Sequence, residues 1–281
     1  MVYDCFMIND ETDLLEIRLN ILYEYVDFFV INEATTTQMG KERELLYPKI
    51  KNRLMKFQNK IIFNITEDRN INFNNQWERE KYQKNNTING LKNANDSDIV
   101  LFSDVDEIPN PEKIKLICDN FENDKIYHFA QRMFNFYLNY ENVENFLLAY
   151  CNDYDWANPK RWLGTKMCTY KIAKEKTMDG LRSPERLKEP GIRIEDGGWH
   201  FSYCGGDNSN IRDRVKHKLS SFSHSEYNKW KYYNYFHIIK SVKEGKDLLG
   251  RNAIFKKVEI DDTFPKWLLL NYKNYKGLIL K

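Results

Sequence analysis

Residues 99–110 read IVLFSDVDEIPN. Ile99, Val100, Leu101 and Phe102 form an apolar run without alternation, the pattern of a strand covered on both faces rather than of a strand with one wet side. Asp104 and Asp106 follow at once, and Pro109 and Pro111 break the chain before a helix expected over about 112–121. Open α/β sheets take their ligands at the carboxyl ends of the strands, so the two carboxylates stand where a ligand is expected. Two hard oxygen donors at that edge suit Mg²⁺ or Mn²⁺, ions that keep open positions for phosphate oxygens. Acidic triplets are also common as solvated turns. Here the buried strand before the triplet and the proline after it favour the metal.

Working outward, residues 2–7 and 26–32 (VDFFVIN) read as strands, and residues 60–65 (KIIFNI) as another. Leu15, Leu19 and Leu22 recur at helical spacing between the first two. A polar helical stretch over residues 77–94 precedes the apolar strand. Strand and helix patterns alternating over roughly the first 130 residues predict an α/β fold, Rossmann-type, with a mainly parallel sheet flanked by helices. No repeat or low-complexity linker divides the chain, which predicts one domain over 1–281. Residues up to about 130 are expected to form a nucleotide-binding half, and the aromatic-rich remainder the half that faces a second substrate.

The composition excludes several classes. Among 281 residues, 43 Lys and Arg balance 41 Asp and Glu, and the net charge of +2 gives no footprint for a nucleic-acid partner. With 42% hydrophobic and 15% aromatic residues the chain can build a core. No apolar run approaches the roughly 18 residues needed to cross a bilayer, and no secretory signal is visible, so a chain without an integral membrane segment, cytoplasmic in location, is expected. The 5 cysteines are odd in number and scattered, which excludes a CxxC zinc knuckle and argues against a disulfide framework. The sequons at Asn64, Asn85 and Asn95 are then chance matches in an Asn-rich chain.

A second cluster, GGWHFSYCGG at residues 197–206, holds four of the chain's 12 glycines. Such a concentration marks backbone that turns tightly or approaches a ligand closely. His200 inside it is either a third metal ligand, imidazole being more natural for Mn²⁺ than for Mg²⁺, or a histidine packed beside Trp199 and Phe201. Arg212, Arg214, Lys216, His217 and Lys218 follow on an expected helix, a solvated face of which one or two members would meet a diphosphate. Two metal-dependent chemistries share the acidic motif. In a haloacid-dehalogenase-type phosphatase the first Asp is a nucleophile and the motif opens the domain. In a nucleotide-sugar glycosyltransferase it follows a nucleotide-binding half of about a hundred residues, which is its position here. A non-catalytic carbohydrate-binding protein would explain the aromatics without the metal.

The segments YDCFMINDETDLLEIRLNILYEYVDFFVINE (3–33), SDVDEIP (103–109), GGWHFSYCGG (197–206), KLSSFSH (218–224) and FPKWLLLNYKNYKGLIL (264–280) occur in the order seen in glycosyltransferase family 17, which the chain resembles almost throughout. That resemblance implies a GT-A fold, a UDP-sugar donor (UDP-N-acetylglucosamine in vertebrate members), Mn²⁺ or Mg²⁺, a glycan or polysaccharide acceptor, and inversion at the anomeric carbon. Carried over, Asp104 and Asp106 are metal ligands, with Asp104 also on the donor. Asn9, Glu11 and Asp13 match the first loop, and Glu33 the acidic end of the second strand, a nucleoside position or else an ion pair with a nearby cation. Lys84 stands where the family has Arg, and Arg132 and Lys218 match basic positions that would meet the diphosphate. Trp77 matches an aromatic before the long helix.

Inverting transfer needs a base for the acceptor hydroxyl, a clamp on the leaving diphosphate and a fixed line of attack. Asp196 and Glu107 are equal candidates for the base, Glu107 having bracing of the metal loop as its alternative. Glu195, Glu185 and the Asp153–Asp155 region stand behind them. Tyr137, Trp156, Trp162 and Tyr203 offer aromatic surface for sugar rings, or core.

Overall fold

The computed structural model describes residues 1–144, 161–182, 191–206 and 210–281. Its first half alternates strand and helix: β1 (Val2–Met7), α1 (Thr12–Leu22), β2 (Phe28–Ala34), α2 (Leu46–Ile50), β3 (Ile61–Thr66), α3 (Gln76–Asn86) and β4 (Ile99–Asp104). β3, β2, β1 and β4 lie side by side and all parallel, with β1 central and buried on both faces. The expected long helix after residue 77 ends at Asn86 and continues as a 3-10 turn over Thr87–Leu91. Asn75 starts α3 by accepting hydrogen bonds from the backbone of Trp77 and Glu78.

Past the acidic motif come β5 (Glu107–Pro109), α4 (Pro111–Asp119), β6 (Tyr127–Asn135), β7 (Tyr140–Glu144), β8 (Trp162–Thr169), α5 (Tyr170–Lys176), α6 (Met178–Arg182) and β9 (Ile192–Ser202). The chain continues through α7 (Ile211–Ser221), α8 (Trp230–Tyr233), α9 (Tyr235–Glu244), β10 (Ile254–Lys257) and α10 (Lys266–Asn271). Here the sheet becomes mixed. β8 runs antiparallel to β4, β6 antiparallel to β8, and β7 and β10 extend the edge antiparallel, whereas β9 lies parallel to β6 and antiparallel to β5. Parallel order therefore holds for the first four strands, and one sheet of ten strands joins both halves.

Two glycines make that junction possible. A Cβ on Gly197 would sit 2.6 Å from Ala130 N, and one on Gly198 would sit 2.2 Å from Ile108 O. β9 thus threads between β6 and β5 at a separation only glycine allows. Just before them the β6–β9 register shifts, and Asp196 adopts a left-handed φ of 52°. Gly197 and Gly198 of the 197–206 cluster thus serve strand packing.

One core cluster lies under β1, β2, β4 and α1, and a second joins Phe136, Tyr140, Phe255, Val215 and Ile238 from β7, β10, α7 and α9 with their neighbouring loops. Among the described residues no helix is long and apolar enough to cross a membrane. Cys5, Cys118, Cys168 and Cys204 carry free thiols.

Candidate active site

The acidic motif is held from behind by Arg18 of α1. This arginine is fully buried and paired with Asp4 of β1 at 2.6 Å. Its Nη1 donates to the carbonyls of Asp104 (3.0 Å), Val105 (3.3 Å) and Glu107 (2.9 Å), and its Nη2 to Ser103 Oγ (2.7 Å). Buried carbonyls without donors would be costly, and one guanidinium supplies donors to three of them while the carbonyl of Asp106 accepts from Phe201 N at 2.8 Å.

Glu107, also fully buried, supports the same turn from the other side. Its Oε2 accepts from Asp104 N at 3.0 Å, and its Oε1 accepts from Trp162 Nε1 at 2.6 Å and Arg182 Nη2 at 2.8 Å. Burial opposes its ionisation, but the charge of Arg182 outweighs burial and lowers its pKa to about 2. Glu107 is thereby a brace. A carboxylate held so far down is a poor proton acceptor at neutral pH.

Asp104 and Asp106 open onto a cavity of about 1030 Å³. Asp106 Oδ2 lies 2.8 Å from Lys218 Nζ and 3.5 Å from His200 Nε2. Burial pushes its carboxyl up, but the Lys218 ammonium and then the His200 imidazole outweigh this and hold it well below the usual range. Asp104 Oδ2 receives Arg182 Nη2 at 2.9 Å, and burial nonetheless raises its pKa. β5 pairs with β9 in the register that sets Glu107 opposite His200, which brings the imidazole to the motif. The ring also packs on Trp162, with centroids 5.0 Å apart.

Asp104 and Asp106 offer hard oxygen donors of the kind a divalent cation with few protein ligands takes. The Oδ1 atoms of Asp104 and Asp106 have no hydrogen-bond partner among the described residues, and Nδ1 of His200 is buried and unpartnered. No group of three or more His, Cys, Asp or Glu is gathered into a cage among the described residues, so the remaining ligands would have to come from substrate phosphate or water.

Other expected residues divide into those that line the cavity and those that do not. Asn9, Glu11, Lys84, Trp77, Trp162 and Tyr203 line it. Glu11 Oε2 accepts from the backbone of Asn9 (2.8 Å) and Asp10 (3.1 Å), while burial and the charges of Asp10 and Asp106 raise its pKa to about 7. Lys84 is paired with Glu80, which with Asp104 raises its pKa against the effect of burial. Glu33 does not face the cavity. It is fully buried and receives Arg43 Nη2 at 2.6 Å and the backbone of Tyr47 at 3.0 Å, so it organises the loop after β2.

Arg132 is likewise spent elsewhere, forked onto Glu141 at 2.8 and 2.6 Å and reaching Thr263 Oγ1 at 2.7 Å, and it does not line the cavity. Asp196 is exposed in the β9 bulge and does not line the cavity, and Glu195 pairs with Arg193. Tyr137 packs at the second core cluster. Of the basic run, Lys218 alone reaches the motif. Arg214 is buried against the carbonyls of Phe136 and Tyr203, and His217 pairs with Asp10 at 2.8 Å. Trp156, Glu185, Asp153 and Asp155 lie outside the described residues. Sequence reasoning missed Arg18, Arg43 and Arg182. Arg18 carried a signal, a lone cation within the apolar stripe of α1, whereas Arg182 follows no pattern and is found only by folding.

Comparison with known proteins supplies the family. No curated protein sequence matches the chain. Among solved structures, a crystal structure of 4-diphosphocytidyl-2C-methyl-D-erythritol synthase aligns with a TM-score of 0.42 and 12% identity, covering 69% of this chain and 86% of that one. The model of glycosyltransferase family 17 matches residues 1–164, the stretch that carries β1 to β4, the Arg18 clamp and both motif carboxylates. The chain therefore belongs to glycosyltransferase family 17 and is a glycosyltransferase.

Proposed function

We propose that this glycosyltransferase has a GT-A fold and moves a sugar, N-acetylglucosamine, from a UDP-sugar to a glycan hydroxyl with inversion, assisted by Mn²⁺ or Mg²⁺. The observation that carries this reading is the pair of open carboxylate oxygens at the end of β4, facing a large cavity beside Lys218, Lys84 and Arg182. Asp104 and Asp106 would hold the cation, with His200 beside Asp106 and the remaining positions left to substrate phosphate or water. When bound, the cation supplies positive charge to the leaving diphosphate.

The protein's own contribution is a fixed frame. Arg18 and Glu107 hold the turn so that both carboxylates are oriented before substrate arrives, and nothing has to reorganise as charge develops on the leaving group. Lys218 and Lys84 add nearby cationic charge from two sides of the cavity, one from α7 and one from α3. For the proton of the acceptor hydroxyl, the geometry favours Glu11 over Glu107 and Asp196. Its Oε1 has no hydrogen-bond partner among the described residues, and the side chain lines the cavity. A carboxyl that titrates near neutrality is matched to general-base work.

Calorimetry of UDP with Mn²⁺ and with EDTA tests the reading, followed by a UDP-sugar screen for acceptor-dependent UDP release. Binding that requires the cation and release that requires an acceptor are expected. UDP affinity undiminished in EDTA would overturn the metal assignment.

A further inference from the structure

From Tyr227 to Lys243 the chain carries Lys229, Lys231, Lys240 and Lys243 and no Asp or Glu, although the whole chain is nearly neutral at +2. All four lysines are exposed. Interleaved with them along the chain are three exposed large apolar side chains: Trp230 (65% exposed), Tyr235 (49%) and Phe236 (80%). Other exposed apolar residues, such as Met55, Leu116 and Leu270, stand singly on separate elements, which is ordinary.

The arrangement follows from α8 and α9. At 100° per residue Phe236, Lys240 and Lys243 share one face of α9, while Ile238 and Ser241 on the other are buried against the second core cluster. The outward face is thus held rigidly by a packed inward one. Lys240 is 71% exposed and only loosely opposed by Glu244 at 3.9 Å, and Lys231 Nζ lies 4.5 Å from the centre of the Tyr232 ring.

We infer that this face is a docking surface for an anionic lipid bilayer, on which the protein sits as a peripheral enzyme. Aromatic rings with polar edges settle at the headgroup level, and lysines lying among them reach the anionic phosphates. Protein–protein interfaces are, by contrast, depleted in lysine, which makes a protein partner the poorer fit to four lysines in so short a stretch. The face also adjoins the active-site cavity. Tyr227 lines that cavity and its ring lies 5.8 Å from Tyr232, so a docked enzyme would hold the cavity rim close to the membrane surface. Membrane docking is independent of the donor and metal assignments and is measured without turnover.

The test is cosedimentation of the full chain with vesicles of phosphatidylcholine containing roughly one third phosphatidylserine. At about 0.1 M salt the Debye length of about 10 Å leaves the attraction largely unscreened. Binding is expected to the mixed vesicles, to fall at least about tenfold at about 0.5 M salt, and to be absent on pure phosphatidylcholine. Trp230→Ala with Phe236→Ala, and separately Lys240→Glu with Lys243→Glu, should each lower the partition coefficient at least about tenfold with the melting temperature unchanged, because these side chains are exposed. If one pair fails to fold, the other and the salt arm decide. Wild-type protein left in the supernatant at low salt, or variants that bind as well as wild type, would overturn the inference. So would concentration-dependent dimerisation that the Trp230→Ala, Phe236→Ala variant abolishes while vesicles are ignored, since the face would then join two copies of the chain.

Discussion

Arg182 bridges the two acidic residues that flank the motif turn: its Nη2 stands 2.9 Å from Asp104 Oδ2 and 2.8 Å from Glu107 Oε1. It comes from α6, which packs on α3 and leads the guanidinium to the turn from outside the sheet. Glu107 is fully buried, so its charge depends on that partner.

Arg182→Ala should therefore destabilise the fold by about 3–5 kcal/mol, the usual result of stripping a buried ion pair of one member. Arg182→Lys should recover only part of this, because an ammonium cannot fork onto two carboxylates. Urea unfolding of the three proteins checks the order. Equal stability of wild type and the Ala variant would show that Glu107 finds another donor.

The parallel half of the fold was legible because its strands are apolar runs bounded by clear helical periodicity. β4 announced itself through Ile99–Phe102, and the motif's place at its end followed from the rule for open sheets. The mixed half was not legible, since β6, β8 and β9 are polar in part and pair across long separations, such as Gln131 with Gly198. At the site, the sequence singled out Asp104, Asp106, His200 and Lys218 as candidates, and the fold brings these four side chains together. It assigned substrate-facing roles to Glu33 and Arg132 through the family resemblance and to Asp196 through its place just before the glycine cluster. Whether a charged side chain faces a cavity or a neighbour is decided by which partner the fold supplies, here Arg43 for Glu33 and Glu141 for Arg132.

Glu107→Gln and Asp196→Asn separate brace from bystander. Gln retains the shape of Glu107 but lacks the charge that neutralises Arg182, so both stability and UDP binding should fall. Asp196→Asn, at an exposed bulge outside the cavity, should leave UDP affinity and transfer within about twofold of wild type, as surface changes usually do. Loss of transfer by 10²-fold or more in Asp196→Asn, roughly the general-base contribution, would restore it as the base.

His200→Ala addresses the cation. Removing the imidazole from its 3.5 Å approach to Asp106 should weaken Mn²⁺-linked UDP binding about tenfold or more, as loss of a residue that orients a metal ligand does. UDP binding measured in EDTA should not change between the two proteins. A stability loss of several kcal/mol with Mn²⁺-linked affinity intact would identify a packed histidine instead.

Glu11 ties stability to pH. Its folded pKa is raised to about 7, above the ordinary glutamate value, so between the two values the native state binds more protons than the unfolded chain. Stability from this group is full below the unfolded pKa, about 4.3, and is lost as pH rises through about 7. Glu11→Gln removes the titration, and the stability difference between variant and wild type should shift in favour of the variant by on the order of 2–3 kcal/mol from pH 5 to pH 8. Thermal or urea unfolding at both pH values measures it. The same variant should bind UDP and Mn²⁺ near normally while transfer falls roughly 10²-fold to 10⁴-fold, since Gln keeps the shape of Glu but cannot accept the hydroxyl proton. A variant with the altered pH profile but undiminished transfer would leave Glu11 as a buried cavity wall and remove it as the base.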